Sequence, residues 1–412
     1  MKNNSDEISM DVIKTIEKIK NENLPIIIFG AGGVGEALFY FCQEAGIKIE
    51  CFCDNSVNKV GKLIHGKKII HTSDLKGKYP EAIFIISASD IKDVVEQLES
   101  LDYSKWYPCA PFLRNFDVYK HKYSVPEDFV DYTVATALLC QDSYFEPDKI
   151  FLRSVDIIIT ECCSLKCRDC SNLMEYYKNP QNCKTEDLLK DIDRFCELVD
   201  EVFEFRILGG EPFMNREFNV IVDRLVKEPK VKKIVFYTNG TIIPNDEQLK
   251  SLANKKVLIL ITNYGKLSRN IEGLICVLKQ NNIAFYVRKA QSWTDCSKIN
   301  KHNRSVEENK KVFRNCCTKN TTTLSSGKVY RCPFSANIGR LRAVRVSEND
   351  FIDIFPKEPK DIKSIRKEIK QFISTDYLKI CDYCNGRSFT APEIEPAVQL
   401  TKPLKYQRKE GN

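Results

Sequence analysis

The sequence predicts an α/β protein built on parallel sheets, with a small cysteine-bearing module towards its C-terminal end. Three observations predict it. Residues 24–112 alternate strand-like and helix-like runs, the rhythm resumes at residue 155, and from about residue 301 it fades while cysteines return. Strands separated by helical stretches pair in parallel, because each helix carries the chain back to the edge where the next strand starts.

In the first segment the apolar run 24–29 is a buried strand; Gly30, Gly32 and Gly35 follow, opening an amphipathic stretch that reaches about Ala45. Residues 47–53 make a second strand ending at Asp54, and residues 82–87 a later one. Residues 113–150, mixed in character and holding Pro126 and Pro147, read as a connector. The second series has strands at 155–160, 202–208, 233–238, 257–262 and 284–289. Thr185 is the expected cap of a helix with Glu186 and Asp187 in its first turn, favourable against the helix dipole. Leu188, Leu189, Ile192, Phe195, Cys196 and Val199 mark the buried face of that helix. Repeated βα units predict a barrel or partial barrel with its chemistry at the C-terminal ends of the strands. The expected domains are 1–112, a connector 113–150, a barrel 151–300, a cysteine module 301–390 and a basic tail 391–412.

A chain of 412 residues exceeds one ordinary core and calls for two or three domains. Its net charge of +7, with a basic ending at Lys402, Lys405, Arg408 and Lys409, is modest, and no arginine cluster stands out, so no nucleic acid is expected as a partner. No apolar run approaches the ~18 residues of a membrane span, and the polar N-terminus is no signal peptide. The expected location is the cytoplasm, where thiols stay reduced, so the 18 cysteines read as metal ligands or buried apolar residues. Four scattered histidines, His65, His71, His121 and His302, argue against a histidine-rich metal site.

Cys163, Cys167 and Cys170 lie in the loop that leaves the strand 155–160. Three thiolates so spaced can hold an iron–sulfur cluster through three of its irons and leave the fourth open to a ligand. Gly209-Gly210-Glu211-Pro212 ends the next strand, and Thr238-Asn239 the one after. Glycines let backbone approach a ligand, and a carboxylate can accept from an ammonium.

The spacing Cys163-x3-Cys167-x2-Cys170, with these motifs on consecutive strand ends, resembles the radical S-adenosylmethionine (SAM) enzymes. The resemblance implies a partial (β/α)6 barrel and a [4Fe–4S] cluster whose open iron chelates SAM. It also implies a 5′-deoxyadenosyl radical that abstracts hydrogen, and an electron donor such as flavodoxin or ferredoxin. Gly209, Gly210, Glu211 and Pro212 would meet the methionyl amino group of SAM, and Thr238 and Asn239 its ribose. The residue before the last cysteine is often aromatic in that family and is Asp169 here; Cys162 is a spare.

Cys317, nine residues, Gly327, four residues and Cys332, then Cys381-x2-Cys384, resemble the auxiliary-cluster (SPASM) modules of such enzymes. With no cysteines beyond the pair, the pattern is similar to the shortened twitch form, which implies one auxiliary [4Fe–4S] cluster. A zinc knot is the alternative, and Cys316 can replace Cys317, although the glycine spacing favours Cys317. Cys42, Cys51, Cys53, Cys109 and Cys276 lie on apolar runs and are expected in the core.

Gly30-x-Gly32-x-x-Gly35 after a strand, with Asp54 ending the next, matches the dinucleotide fingerprint, so the N-terminal sheet is expected to be Rossmann-like. The glycines would admit a pyrophosphate at the helix start and Asp54 would accept from a ribose hydroxyl. The segment is similar to N-terminal domains of bacterial sugar-modifying enzymes in Phe29-Gly30-Ala31-Gly32, Cys53-Asp54-Asn55, Lys59 and Gly61. That resemblance implies a nucleotide or nucleotide sugar as ligand. The expected substrate is a small molecule, a sugar, nucleotide sugar or polyol that is oxidised or epimerised in glycan biosynthesis. A peptide-modifying enzyme is the second reading, and a non-catalytic zinc-binding scaffold the third. Arg288, Trp293, Asp295 and Cys296 are candidates for the substrate side.

Overall fold

The computed structural model describes residues 10–388 and 391–406. The first nine residues and the end of the basic tail, with Arg408 and Lys409, lie outside that range. The chain forms two compact units, Met1–Asp148 and Lys149–Asn412.

The first unit runs α1 (Met10–Asn21), β1 (Ile26–Phe29), α2 (Gly33–Glu44), β2 (Ile49–Cys53), β3 (Leu63–Ile64), β4 (Lys67–Ile70), α3 (Leu75–Lys78), β5 (Ile83–Ile86), α4 (Ile91–Ser100), β6 (Trp106–Pro108), α5 (Ala110–Leu113) and α6 (Glu127–Tyr144). Its sheet has the order β3-β4-β2-β1-β5-β6 and is parallel except for the β3–β4 pair. Side chains alternate across a strand, so a sheet apolar at every position must be covered on both faces. Ile26, Ile28, Ile83 and Ile85 enter a core with α2 and α6, while Ile27, Phe29, Phe84 and Ile86 enter another with α4.

The stretch 113–150, expected as a connector, holds α6, which packs on α2 through Val130, Val134 and Ala137. Gln141 ties α6 to the sheet by accepting from Ala110 N and donating to Ile86 O and Ala88 O.

The second unit contains β7 (Phe151–Thr160), α7 (Thr185–Leu198), β8 (Glu201–Gly209), α8 (Phe218–Val226), β9 (Val231–Thr238), α9 (Asp246–Leu252), β10 (Val257–Asn263), α10 (Ile271–Gln280), β11 (Phe285–Lys289) and β12 (Trp293–Thr294). It continues with α11 (Val306–Arg314), β13 (Thr321–Ser325), β14 (Lys328–Tyr330), α12 (Pro333–Leu341), β15 (Phe351–Asp353), α13 (Ile362–Ile373) and β16 (Glu393–Ile394). One eight-stranded sheet has the order β11-β10-β9-β8-β7-β13-β14-β15. Strands β7 to β11 are mutually parallel neighbours, and β13 adds a sixth parallel strand on the far side of β7. The cysteine-bearing segment after residue 301 is thus hydrogen-bonded into the barrel sheet rather than set apart from it.

Alternation along the strands sorts the barrel's two faces. Val155, Ile157, Ile159, Phe205, Ile207, Ile234, Phe236, Ile259 and Ile261 enter the outer core with the helices. The inward positions carry Ser154, Asp156, Glu204, Arg206, Tyr237 and Thr262 alongside apolar Leu208 and Leu260. A lumen lined by polar side chains is built to hold a ligand, not to fill itself. Two local expectations change. Thr185 is the first residue of α7 and donates to Glu217 at 2.5 Å instead of capping. Cys276 is exposed on α10, while Cys42, Cys51, Cys53 and Cys109 are buried as expected.

Candidate active site

The C-terminal ends of β7, β8 and β9 open into a cavity of about 300 Å3 lined by Cys163, Cys167, Cys170, Gly209, Gly210, Glu211, Thr238 and Asn239. Three strand ends far apart in sequence thus meet at one place. Gly210 N donates to Thr160 O at 3.0 Å and Glu211 N to Cys162 O at 2.8 Å, which staples the β8 turn onto the cysteine loop. Cys162 spends its carbonyl on this staple, and its sulfur faces Pro180 O at 3.5 Å.

The glycines are required by this staple. A Cβ on Gly210 would overlap the Cys162 carbonyl and stand 2.8 Å from Cys163 Cβ, and one on Gly209 (φ +154°) would strike Thr160. Gly210→Ala is therefore expected to displace the cysteine loop, lowering stability by about 1–3 kcal/mol and lowering iron uptake, which chemical denaturation and iron analysis measure.

Glu211 is fully buried. Its Oε1 accepts from Thr238 Oγ1 at 2.8 Å and Phe213 N at 3.3 Å, and its Oε2 from Asn239 N at 2.8 Å. Burial pushes its pKa up to about 7 despite these donors. The carboxylate expected to meet an ammonium thus spends its acceptors on locking the end of β9 to the end of β8. Pro212 opens the short 3-10 turn Pro212–Met214 behind it. Asn239 is fixed in turn: Oδ1 accepts from Thr241, while Nδ2 donates to Ser164 Oγ at 3.1 Å and lies 3.8 Å from Cys163 Sγ.

Residues 397–400 return to the cysteine loop, a contact invisible in the local sequence. Arg168 N donates to Val398 O and Leu400 N to Lys166 O, both at 2.7 Å. Gln399 Oε1 accepts from Lys166 N at 2.9 Å, which orients its amide so that Nε2 points at Cys167 Sγ, 3.1 Å away. Asp169, unusual at its position, has φ +61°, a left-handed conformation that Asp tolerates better than bulky residues. It pairs with Arg168 at 3.0 Å.

The three cysteines suit a metal–sulfur group. Burial, first of all, pushes the Cys163 thiol up to about 12 and raises those of Cys167 and Cys170, so an arriving cation must supply the charge that stabilises their thiolates. Among the described residues no three Cys, His, Asp or Glu side chains can close on a single ion; the three sulfurs ring a cavity instead.

In the C-terminal segment Cys332, Cys381 and Cys384 share one apolar cluster with Phe313, Phe334 and Ile338. The thiol of each is raised chiefly by burial and then by repulsion from neighbouring thiols, and Cys316 is among those neighbours every time. Cys317, the residue favoured by spacing, is exposed, and the groups that perturb it after burial are Arg387, Cys316 and Arg206. Cys316 is thus the common neighbour of the Cys332, Cys381 and Cys384 thiols. Cys316 bridges Ser388 while Cys317, in the turn that follows, donates its N–H to Arg387 O.

Of the loop candidates, Arg288 and Trp293 line the cavity, Asp295 pairs with Lys298 at 3.3 Å, and Cys296 is buried with its carbonyl 3.8 Å from Cys384 Sγ. Asp156, Arg206, Tyr237, Tyr264 and Arg387 line the cavity too and were not anticipated. The signal for two of them is present in the sequence, since Asp156 and Arg206 are charges set among apolar residues of their strands.

In the first unit, Gly30 (φ +112°) turns the chain beside Ser87, and a Cβ on Gly35 would overlap Gly30 O. Gly32 precedes α2 and faces open space. Asp54 Oδ2 accepts from Ala31 N and Lys59 Nζ, both at 2.9 Å, and Oδ1 from Ser56 N at 2.9 Å. The carboxylate expected on a ribose is used here to brace the glycine turn.

Residues 157–323 match the Radical SAM superfamily, and residues 22–107 match the C2185-like, N-terminal family. GTP 3′,8-cyclase of Clostridium acetobutylicum is 28% identical over 145 residues, 31% of this chain and 45% of that protein. The Synechocystis sp. enzyme of the same name is 27% identical over 122 residues, 28% of this chain and 35% of its own. The chain thus spans less than half the length of these curated relatives. Among solved structures, BtrN in complex with AdoMet and 2-DOIA is 15% identical over 57% of this chain and 93% of its own, with a TM-score of 0.34. anSMEcpe with bound AdoMet is 16% identical over 58% and 89%, with a TM-score of 0.35. Streptococcus suis SuiB bound to precursor peptide SuiA is 13% identical over 74% and 85%, with a TM-score of 0.31. The strand ends that gather the cysteine loop, the double glycine and Asn239 all lie within residues 157–323, the stretch that matches the Radical SAM superfamily.

Proposed function

We propose that the protein is a radical SAM enzyme acting on a small molecule held in the barrel lumen, and that Cys163, Cys167 and Cys170 hold its [4Fe–4S] cluster. The observation that carries this is the convergence of those cysteines, Gly209-Gly210 and Asn239 on one cavity. When bound, the cluster and SAM supply a 5′-deoxyadenosyl radical that takes a hydrogen atom from the substrate. The chain's own residues prepare the site: Glu211 holds two strand ends in register, Asn239 and Gln399 direct N–H groups at Cys163 and Cys167, and Tyr264 and Trp293, 6.0 Å apart, wall the cavity.

The auxiliary group is read as a second cluster held by Cys316, Cys332, Cys381 and Cys384, able to take the electron left on a substrate radical. Thr318 and Pro333 line the cavity and lie within two residues of Cys316 and Cys332, so the two centres face one chamber. A four-thiolate zinc site is the alternative, and metal and sulfide analysis tells the two apart. The substrate class favoured is a sugar, nucleotide sugar or polyol, supported by the resemblance of the N-terminal segment to sugar-modifying enzymes. The turn at Gly30–Gly35, open at Gly32, is its candidate nucleotide site. The reading places the enzyme in the cytoplasm with a flavodoxin or ferredoxin as electron donor; no helix among the described residues is long and apolar enough to cross a membrane.

Anaerobic reconstitution tests the reading. About eight irons with matching sulfide are expected per chain, and dithionite-reduced protein should convert SAM to 5′-deoxyadenosine. Zinc without sulfide, or no 5′-deoxyadenosine from cluster-replete protein, would sink it. Cys316→Ala should lose about four irons while Cys317→Ala keeps them; the opposite pattern would restore Cys317 as the ligand.

A further inference from the structure

We propose that the cavity recognises an oxyanion, a phosphate or carboxylate carried by a small substrate, through Arg387 and Arg288. The proposal deepens the reading of this cavity as a substrate chamber. Three guanidinium groups and two carboxylates line the cavity: Arg206, Arg288 and Arg387 against Asp156 and Glu211. Both carboxylates are committed. Asp156 Oδ1 holds Arg206 Nε at 2.5 Å, and Glu211 takes three internal donors.

Arg288 and Arg387 are therefore left in cationic surplus, neither with an ion pair among the described residues. Arg288 reaches Thr262 Oγ1 only at 3.4 Å and lies 6.0 Å over the Tyr237 ring. Arg387 Nε is sealed from solvent and donates to nothing. An unpaired buried donor on a charged group costs stability that a bound acceptor restores, and a guanidinium fork fits a carboxylate or phosphate by two parallel bonds. Asp156 Oδ2 is likewise buried without a partner. One free donor and one free acceptor beside the same chamber also suit a hydroxyl next to the oxyanion. The cavity of about 300 Å3 sets the scale at a small molecule.

Arg387 also has the thiols of Cys296, Cys317, Cys316 and Cys384 around it, so a counter-charge for the auxiliary group is the competing role. Equilibrium dialysis of reconstituted protein against radiolabelled inorganic phosphate, and separately acetate, separates the two roles. Saturable binding of at least one probe is expected, weakened roughly tenfold or more by Arg387→Gln and by Arg288→Gln, and unchanged by Arg345→Gln on the outer surface. Arg288 is exposed, so its variant keeps the test decisive if Arg387→Gln fails to fold. The phosphate and acetate arms tell which oxyanion is preferred. Absence of saturable binding, or binding that ignores both substitutions while Arg387→Gln shifts the auxiliary potential, overturns the proposal. Formation of 5′-deoxyadenosine is measured on the same wild-type sample, so failure of the radical reading and failure of the anion site are told apart.

Discussion

Replacing Cys163 with alanine is expected to bring iron down from about eight to about four per chain and to abolish 5′-deoxyadenosine formation, with little loss of fold stability. Cys163 lies in a loop whose backbone is already fixed by the Gly210 and Glu211 N–H groups, so removing its sulfur leaves the staple in place. The thiol accepts from the Leu165 backbone N–H and, weakly, from Asn239 Nδ2 at 3.8 Å, so its loss removes only these two contacts. Iron and sulfide content, the visible spectrum and a urea midpoint measured together check this. Retention of full iron would show that the sulfur belongs to no cluster, and a large drop in the urea midpoint would make the residue structural.

Removing the Asp156 carboxylate has the second large effect, and on stability. Asp156 is entirely buried on an inward position of β7, with Arg206 Nε at 2.5 Å on the neighbouring strand. Burial raises its pKa and the Arg206 guanidinium opposes that rise, so the pair survives as a mutual compensation. Asp156→Ala leaves a buried guanidinium without its partner, for a loss of about 3–5 kcal/mol. Asp156→Ala combined with Arg206→Met removes both charges and should recover most of that. Urea denaturation of the single and double variants measures the difference; equal destabilisation in both would show that packing, not charge, is at stake.

The legible parts of the site are those encoded locally. The cysteine loop, the double glycine and Thr238-Asn239 each occupy a few consecutive residues just after an apolar run, so spacing and periodicity sufficed to place them on strand ends. Gln399 escapes such reading because its partners lie more than 230 residues away, and nothing near it marks the encounter. Cys316 and Cys317 satisfy the same spacing within one residue, and they differ in their neighbours, Cys332, Cys381 and Cys384 for the first and Arg387 and Arg206 for the second. Helix α6 is hard to read from sequence because its buried residues, Val130, Val134, Thr136, Ala137, Cys140 and Gln141, include polar ones, of which Gln141 bonds the sheet. Asp54 and Glu211 stand out in the sequence as carboxylates beside glycine turns, and both are turned inward, where backbone N–H groups bind them.

The return of residues 397–400 to the cysteine loop has a bearing on biogenesis. Gln399 follows Lys166, its hydrogen-bond partner, by 233 positions. At ordinary synthesis rates of about 5–20 residues per second, roughly ten to fifty seconds separate the emergence of the loop from that of its strap. If the loop holds the proposed cluster, that interval leaves it open to whatever delivers iron and sulfide. Once the strap docks, the Gln399 amide covers Cys167, and the same contact that opposes loading afterwards also opposes loss.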